Sequence, residues 1–239
     1  MTSSRPPRRI LLTGASRGLG LAFTRLWLEA GEEVFALSRT APDSPALRGL
    51  AEAHPGTLHL AACDVGDDAA VEEAGRMVAT AWDRLDIALN VAGIYGQRVR
   101  RLEDLDLEDT RRVFEVNTLG PLRVSRAILP LLRRGAAPRL VHITSLMGSI
   151  ADNTSGGSHA YRMSKAALNM ASRSLAHELE ADGVICAVVH PGWVRTDMGG
   201  PDAPLAIEES VPAMIRTIEN LSLDQSGGFF DRDGRAIPW

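Results

Sequence analysis

Cysteine is scarce in this chain of 239 residues: Cys63 and Cys186 are the whole complement, each beside an apolar run. Two thiols cannot build a disulfide framework, and free buried cysteines in a reducing compartment are the expected state. Long apolar stretches are also missing, none approaching the roughly 18 residues that a membrane span needs. Basic charge is in deficit, with 26 Lys and Arg against 30 Asp and Glu and a net charge of -4. That balance removes the electrostatic case for nucleic acid as a partner. The six histidines offer no pair at metal-ligand spacing, so no metal is expected. Ser145 lacks the G-x-S-x-G elbow of a hydrolase. The stretch Met1 to Arg9 carries Arg5, Arg8 and Arg9 but no following apolar segment of about 7–15 residues, as a secretory signal requires. Residues 1–9 read as a disordered basic tail ahead of a single domain at 10–239, and the cytoplasm is the expected address.

What is present is an alternation of two periods. Short apolar runs read as buried strands at Ile10 to Leu12, Glu33 to Leu37, Leu58 to Ala61, Ile87 to Asn90, Arg139 to Thr144 and Val184 to His190. Amphipathic stretches between them, such as Leu19 to Ala30, Ala69 to Trp82, Thr118 to Arg134 and His159 to Ala181, read as helices. Strands apolar on both faces and separated by helices predict an α/β fold, a doubly wound parallel sheet of the Rossmann type in one domain. No repeat or low-complexity block interrupts it. The connection Gly192 to Glu209 follows a strand's carboxyl end, where ligands enter such sheets, and reads as a lid over the substrate.

The first strand runs into Thr13-Gly14-Ala15-Ser16-Arg17-Gly18-Leu19-Gly20 and then a helix. A dinucleotide pyrophosphate needs bare backbone and free N–H groups at a helix start, which glycines in this place provide. An NAD site would carry a carboxylate at the tip of the second strand. Here that tip is Ser38-Arg39. Arg39, with Arg17 from the glycine turn and the Ser38 hydroxyl, can meet a 2′-phosphate, so NADPH is favoured. The plain alternative is that Arg39 is a solvated surface arginine.

Tyr161-Arg162-Met163-Ser164-Lys165 places a phenol and an ammonium one helical turn apart. A free tyrosine titrates near 10. A lysine beside it is expected to lower that value and make the phenol a usable acid and base. The same spacing also arises in chance surface pairs. Ser145 follows the strand Leu140 to Thr144 at its carboxyl end, where a hydroxyl can bind a substrate oxygen.

With these motifs in order, the chain resembles the short-chain dehydrogenase/reductase family over nearly its whole length. Asp64 in Cys63-Asp64-Val65 matches the adenine contact, and Asn90-Val91-Ala92-Gly93 resembles the segment lining the cofactor. Asn117 matches the family's helix asparagine, and Pro191-Gly192, Val194 and Thr196 match the stretch at the nicotinamide end. The run His190 to Gly200 and the ending Gly228 to Gly234 with Pro238-Trp239 are similar to the C-factor and sniffer-like carbonyl reductases. The resemblance implies NADP-dependent reduction of aldehydes, ketones or quinones, with Asn117, Ser145, Tyr161 and Lys165 catalytic. It implies cofactor contacts at Gly14, Ser16, Arg17, Gly18, Leu19, Gly20, Ser38, Arg39, Asp64, Val65, Asn90, Ala92, Gly93, Tyr161, Lys165, Pro191, Gly192, Val194 and Thr196. It also implies a homodimer, with a tetramer left open. Two departures stand out: Val91 where the family commonly has a second Asn, and a longer loop between Ser145 and Tyr161, holding Asn153, Gly156 and Gly157.

Other residues carry two readings each. Trp193 and Met198 either line an apolar pocket or pack under the lid, and Tyr95 either reaches substrate or packs its loop. The charged run Arg98 to Arg112 reads as a solvated helix entry. His142 and His190 read as core or strand-end residues. Leu168, Met170, Leu175 and Leu179 read as packing against the sheet or across a subunit interface. Two other functions use the same sequence: a Rossmann-type nucleotide binder that signals without turnover, and an NAD-dependent alcohol dehydrogenase.

Overall fold

Apolar residues at both parities of each strand force the sheet to be covered on both faces. The computed structural model describes residues 5–239, and Met1–Ser4 lie outside the described residues. Among the described residues one parallel sheet contains β1 (Arg9–Thr13), β2 (Glu33–Ser38), β3 (Leu58–Ala62), β4 (Ile87–Asn90), β5 (Arg139–Ile143), β6 (Ile185–His190) and β7 (Gly228–Asp231). Their order is β3-β2-β1-β4-β5-β6-β7, with every pairing parallel. The doubly wound Rossmann-type fold is as expected. The chain reverses direction of travel between β1 and β4, and such a switch point opens a crevice at the carboxyl ends of the strands.

The helices are α1 (Gly18–Glu29), α2 (Pro45–Ala53), α3 (Asp68–Ala81), α4 (Leu107–Phe114), α5 (Gly120–Leu132), α6 (His159–Glu178) and α7 (Ile207–Asn220). Phe23 and Trp27 of α1 pack with Val211, Met214 and Ile218 of α7 over Ile10, Leu12, Val34 and Leu89. On the other face Val71 and Val78 of α3 and Val124 and Ile128 of α5 cover Leu11, Phe35, Ala88 and Leu140. Alternate residues of β1 therefore serve two separate cores, as the strand's period of two requires. Leu168 and Leu179 are buried, while Met170 faces outward. Cys63 and Cys186 are free and buried. No helix among the described residues is long and apolar enough to cross a membrane, and no cluster of metal-ligating side chains occurs among them.

Three boundaries differ from the sequence pattern. Arg9 opens β1, and Arg5 and Arg8 both pair with Glu32, so the described part of the basic arm is tied down rather than loose. The cause is Glu32 itself: a carboxylate 2% exposed needs cations to neutralise it. The connection after β6 ends at Ala206, because Glu209 already sits in the first turn of α7 and accepts from the Ala206 N–H at 2.9 Å. Gly228–Asp231 adds a seventh strand at the sheet's edge.

His142 and His190 are core and strand-end residues, as expected. Asn90 Nδ2 lies 3.1 Å from His142 Nδ1, and since the amide can only donate, the ring proton belongs on Nε2. Burial, with the Lys165 charge adding to it, pulls His142 down to about 3. Burial likewise pulls His190 to about 4. Both folded values lie below the unfolded one, so on acidification the unfolded chain binds protons first and stability falls from about pH 6.5 downward. We expect the unfolding free energy to drop by about 1.4 kcal/mol per pH unit for each of these histidines between about pH 6 and pH 5. Urea titrations of the native chain and His142→Leu should show the slope reduced by one proton in the variant. An unaltered slope would mean that His142 is not kept neutral.

Candidate active site

The glycine turn after β1 closes because of contacts that no side chain could share. Gly14 has φ +70°, and a Cβ there would meet the Ala92 nitrogen at 2.9 Å. A Cβ on Gly20 would strike the Gly14 carbonyl, so the helix packs directly on the turn. The Thr13 hydroxyl accepts from the Val91 and Ala92 N–H groups, each at 3.1 Å, which fixes the segment after β4 against the turn. These are backbone contacts, so Val91 in place of the usual Asn leaves them intact. α1 begins at Gly18 with no side-chain cap on its N–H groups and no acidic residue in its first turn. Open N–H groups and a positive helix end fit a pyrophosphate.

At the tip of β2 the Ser38 hydroxyl is buried without a hydrogen-bond partner, beside the exposed Arg39. An orphaned hydroxyl next to a guanidinium fits an anionic group at that position. Arg17 does not point its charge there. It pairs with Asp197 of the β6–α7 connection at 2.6 Å. Asp64 is exposed and accepts from the Gly66 N–H at 2.9 Å.

Asn117 sits on a widened turn, Glu115–Leu119, between α4 and α5. Pro121 has no N–H to give the Asn117 carbonyl, and the Gly120 N–H reaches back to Glu115, one residue further than in an α-helix. The fully buried Asn117 side chain then accepts from the Ile94 N–H at 2.8 Å and donates to the Ile94 carbonyl at 2.8 Å and Ser164 Oγ at 3.0 Å. It thereby joins the end of β4 to α6. Gly93 lies between: a Cβ on it would stand 3.3 Å from Asn117 Oδ1 and 3.6 Å from Lys165 Nζ.

Ser145, Tyr161 and Lys165 converge at the carboxyl end of β5, and all three are buried. Lys165 Nζ donates to the Ile143 carbonyl at 2.8 Å and lies 5.8 Å from the Tyr161 ring centre. Burial lowers its ammonium to about 8. The phenol moves opposite to the sequence expectation. Burial pushes Tyr161 up to about 12, the Ser145 hydrogen bond and Arg98 charge pull the other way, and Tyr95 adds to the rise. Desolvation is the largest of these effects, and Lys165 is not among the groups that shift the phenol.

The long loop does fold back as the hydroxyls require. Ser149 Oγ donates to the Pro238 carbonyl at 2.7 Å, and the Ile150 and Ala151 N–H groups donate to Trp239. The loop ends at Ser158, whose N–H donates to the Val99 carbonyl at 2.7 Å. Tyr95, left between two roles by the sequence, stacks on Tyr161 with ring centres 4.4 Å apart and planes 11° apart. Arg98 is not merely part of a solvated run, since its guanidinium lies 4.1 Å from the Tyr95 ring centre. Elsewhere in that run Arg111 pairs with Glu108 in solvent as expected, whereas Asp109, with its side chain 15% exposed, pairs with Arg112 and accepts from the Gln97 N–H at 2.7 Å. Met198 lies with Sδ 4.0 Å from the Tyr161 hydroxyl, whereas Trp193 is 56% exposed and donates to the Gly199 carbonyl. Among these residues the sequence offered one signal for Tyr95, its place just after the cofactor segment, and none for Arg98.

Comparison with known proteins gives a consistent picture. The model of the short chain dehydrogenase family matches residues 8–204. The C-signal protein of Myxococcus xanthus is 52% identical over 155 residues, covering 65% of this chain and 93% of that protein. The carbonyl reductase Sniffer of D. melanogaster superposes with a TM-score of 0.91 at 32% identity, over 98% of this chain and 100% of that one. An NADPH-bound carbonyl reductase from chicken fatty liver gives a TM-score of 0.91 at 33% identity, over 98% of this chain and 100% of that one.

The structural duty of Asn117 can be measured without any ligand. Asn117→Leu leaves the Ile94 N–H, the Ile94 carbonyl and Ser164 short of a partner, and we expect a loss of about 2 kcal/mol in urea unfolding. A loss below about 0.5 kcal/mol would mean that these groups find other partners.

Proposed function

The chain belongs to the short chain dehydrogenase family, and from that premise we propose that it reduces the carbonyl group of small aldehydes, ketones or quinones, with NADPH as reductant and Tyr161 as proton donor. The observation that carries this reading is the meeting of Ser145, Tyr161 and Lys165 with Asn117 behind them, at the mouth of the crevice beside the glycine turn.

Gly14, Ser16, Gly18, Leu19 and Gly20 would hold the pyrophosphate, and Ser38 with Arg39 the 2′-phosphate, which Arg17 would reach only on leaving Asp197. Asp64 and Val65 would meet the adenine. Asn90, Ala92 and Gly93 would line the middle of the site, and Pro191, Gly192, Val194 and Thr196 the nicotinamide end. NADPH, when bound, supplies a hydride to the carbonyl carbon and is left as NADP⁺. As the carbon–oxygen π bond breaks, its electron pair moves to oxygen, and Tyr161 gives that oxygen the phenolic proton. A phenol held near 12 is fully protonated at neutral pH, which suits a proton donor. Ser145 donates a hydrogen bond to the same oxygen while charge develops on it. Losing the proton leaves a phenolate in a buried site. Lys165, still largely cationic below about 8, offsets that charge across the turn of α6. Asn117 holds α6 and the segment after β4 in place, and supports return of the proton from solvent. The lysine's contribution thus falls on the product of proton transfer rather than on the resting phenol.

Consumption of NADPH, followed by absorbance with a panel of aldehydes, ketones and quinones, tests the reading directly. Tyr161→Phe should lower turnover by at least about a hundredfold while NADPH affinity stays within about threefold. Full turnover by that variant would remove Tyr161 from its role. No consumption by the native chain across the panel, with NADPH bound tightly, would instead support a nucleotide binder without turnover.

Cofactor choice rests on Ser38 and Arg39. Arg39→Asp should weaken NADPH binding by about 10–100-fold and leave NADH binding unchanged or improved. Equal loss for both cofactors would mean that the arginine does not select between them.

A further inference from the structure

Four residues close a ring of contacts around the Tyr161 phenol. Tyr95 stacks on its face at 4.4 Å. Arg98 lies on Tyr95 at 4.1 Å and donates to the Met198 carbonyl at 2.7 Å. Met198 returns to the start, with its sulfur 4.0 Å from the Tyr161 hydroxyl. Tyr95 is itself held at its far end, where its hydroxyl shares a hydrogen bond with Ser158 Oγ at 3.0 Å and touches Met147 Sδ at 3.6 Å.

We propose that Arg98, seated on Tyr95, is a positioning residue that latches the β6–α7 connection over the active site through the main-chain carbonyl of Met198. The proposal rests on Tyr161 as proton donor. A guanidinium suits this duty because its flat face lies on an aromatic ring while its edge still donates to a carbonyl. The connection is otherwise bonded mostly to itself. Arg195 donates to the Ala203 and Pro204 carbonyls, Trp193 to the Gly199 carbonyl, and the Gly199 N–H to Thr196 Oγ1. The opposite tie, Arg17 with Asp197, is an ion pair with both side chains more than 70% exposed. The Arg98 bond to Met198 is exposed as well, and what sets it apart is the seat of the guanidinium on the Tyr95 ring.

The latch grips backbone, and this decides its effect. The Met198 thioether stands 4.0 Å from the phenol hydroxyl, the group that a substrate oxygen would meet. Sulfur is a weak acceptor, and the unbranched side chain has three rotatable bonds. It can swing aside for a carbonyl oxygen while Arg98 keeps the Met198 backbone in place. Arg98 therefore governs how the connection closes on substrate, not whether the nucleotide binds.

The test uses the full-length chain with NADPH and menadione, and hydrogen exchange of residues 194–204 without ligand. Arg98→Met should raise KM for menadione by about tenfold, keep kcat within about threefold and leave NADPH affinity unchanged. It should also speed exchange in 194–204 by about tenfold or more, and leave the melting temperature within a few degrees. Met198→Ala, which keeps the carbonyl, should show native exchange in that segment. Exchange in Arg98→Met equal to native overturns the latch whatever the kinetics show, as does an equal loosening by Met198→Ala. A native chain that reduces no carbonyl removes the reductase reading, and the exchange comparison still decides the latch.

Discussion

An ammonium buried at the end of a strand with a single carbonyl for a partner is the constraint on which this site turns. Lys165 is 4% exposed and donates to Ile143 at the last position of β5. Removing it from water favours its neutral form, yet the drop to about 8 still leaves it largely cationic at neutral pH. The same bond sets the height of α6 against the sheet, and Tyr161 stands one turn earlier on that helix. The geometry and the electrostatics of the phenol are therefore set together. Gly148, whose Cβ would come within 2.9 Å of the Lys165 backbone, lets the segment after Ser145 pack directly on α6.

Burial acts on the two groups in opposite chemical senses but toward one outcome, neutrality. The phenol keeps its proton and the amine is drawn toward giving one up. In the proposed mechanism, transfer of the phenolic proton to a substrate oxygen leaves a phenolate, and the lysine, still largely cationic, then has an opposite charge one helical turn away. The site is accordingly better matched to the product of proton transfer than to its own resting state, which is what differential stabilisation requires.

Much of this was legible in the sequence because its physical cause is local. Glycines after an apolar strand, a phenol and amine four residues apart, and strands apolar at both parities each follow from spacing alone. What escaped depends on contacts distant along the chain. Asn117 itself is reached through the family resemblance, but the widened turn that carries it, shaped by Pro121 and by two bonds to Ile94, is not, since Thr118 to Arg134 reads as plain helix. The edge strand Gly228–Asp231 has only Phe229 and Phe230 between a glycine and an aspartate, so it lacks the apolar run that marks the equally short Ile87–Asn90. Arg5 and Arg8 look like a solvated arm until Glu32 is known to be buried beneath them. The direction of the Tyr161 shift went the other way because spacing reveals a neighbouring charge and says nothing of desolvation, the larger effect here.

The choice between turnover and mere nucleotide binding can be argued from the same energetics. Holding a pyrophosphate needs the glycine turn and the uncapped start of α1, both at β1. Nothing in that task calls for a buried lysine, a buried serine and a buried tyrosine gathered at β5. Each such group costs stability unless it is paired, and the cluster is joined to Asn117 by Ser164 and to the segment after β4 by Asn117 itself. A polar cluster of this cost, built beside the mouth of a nucleotide crevice and screened by an aromatic and a thioether, supports the proposed proton transfer over nucleotide binding alone.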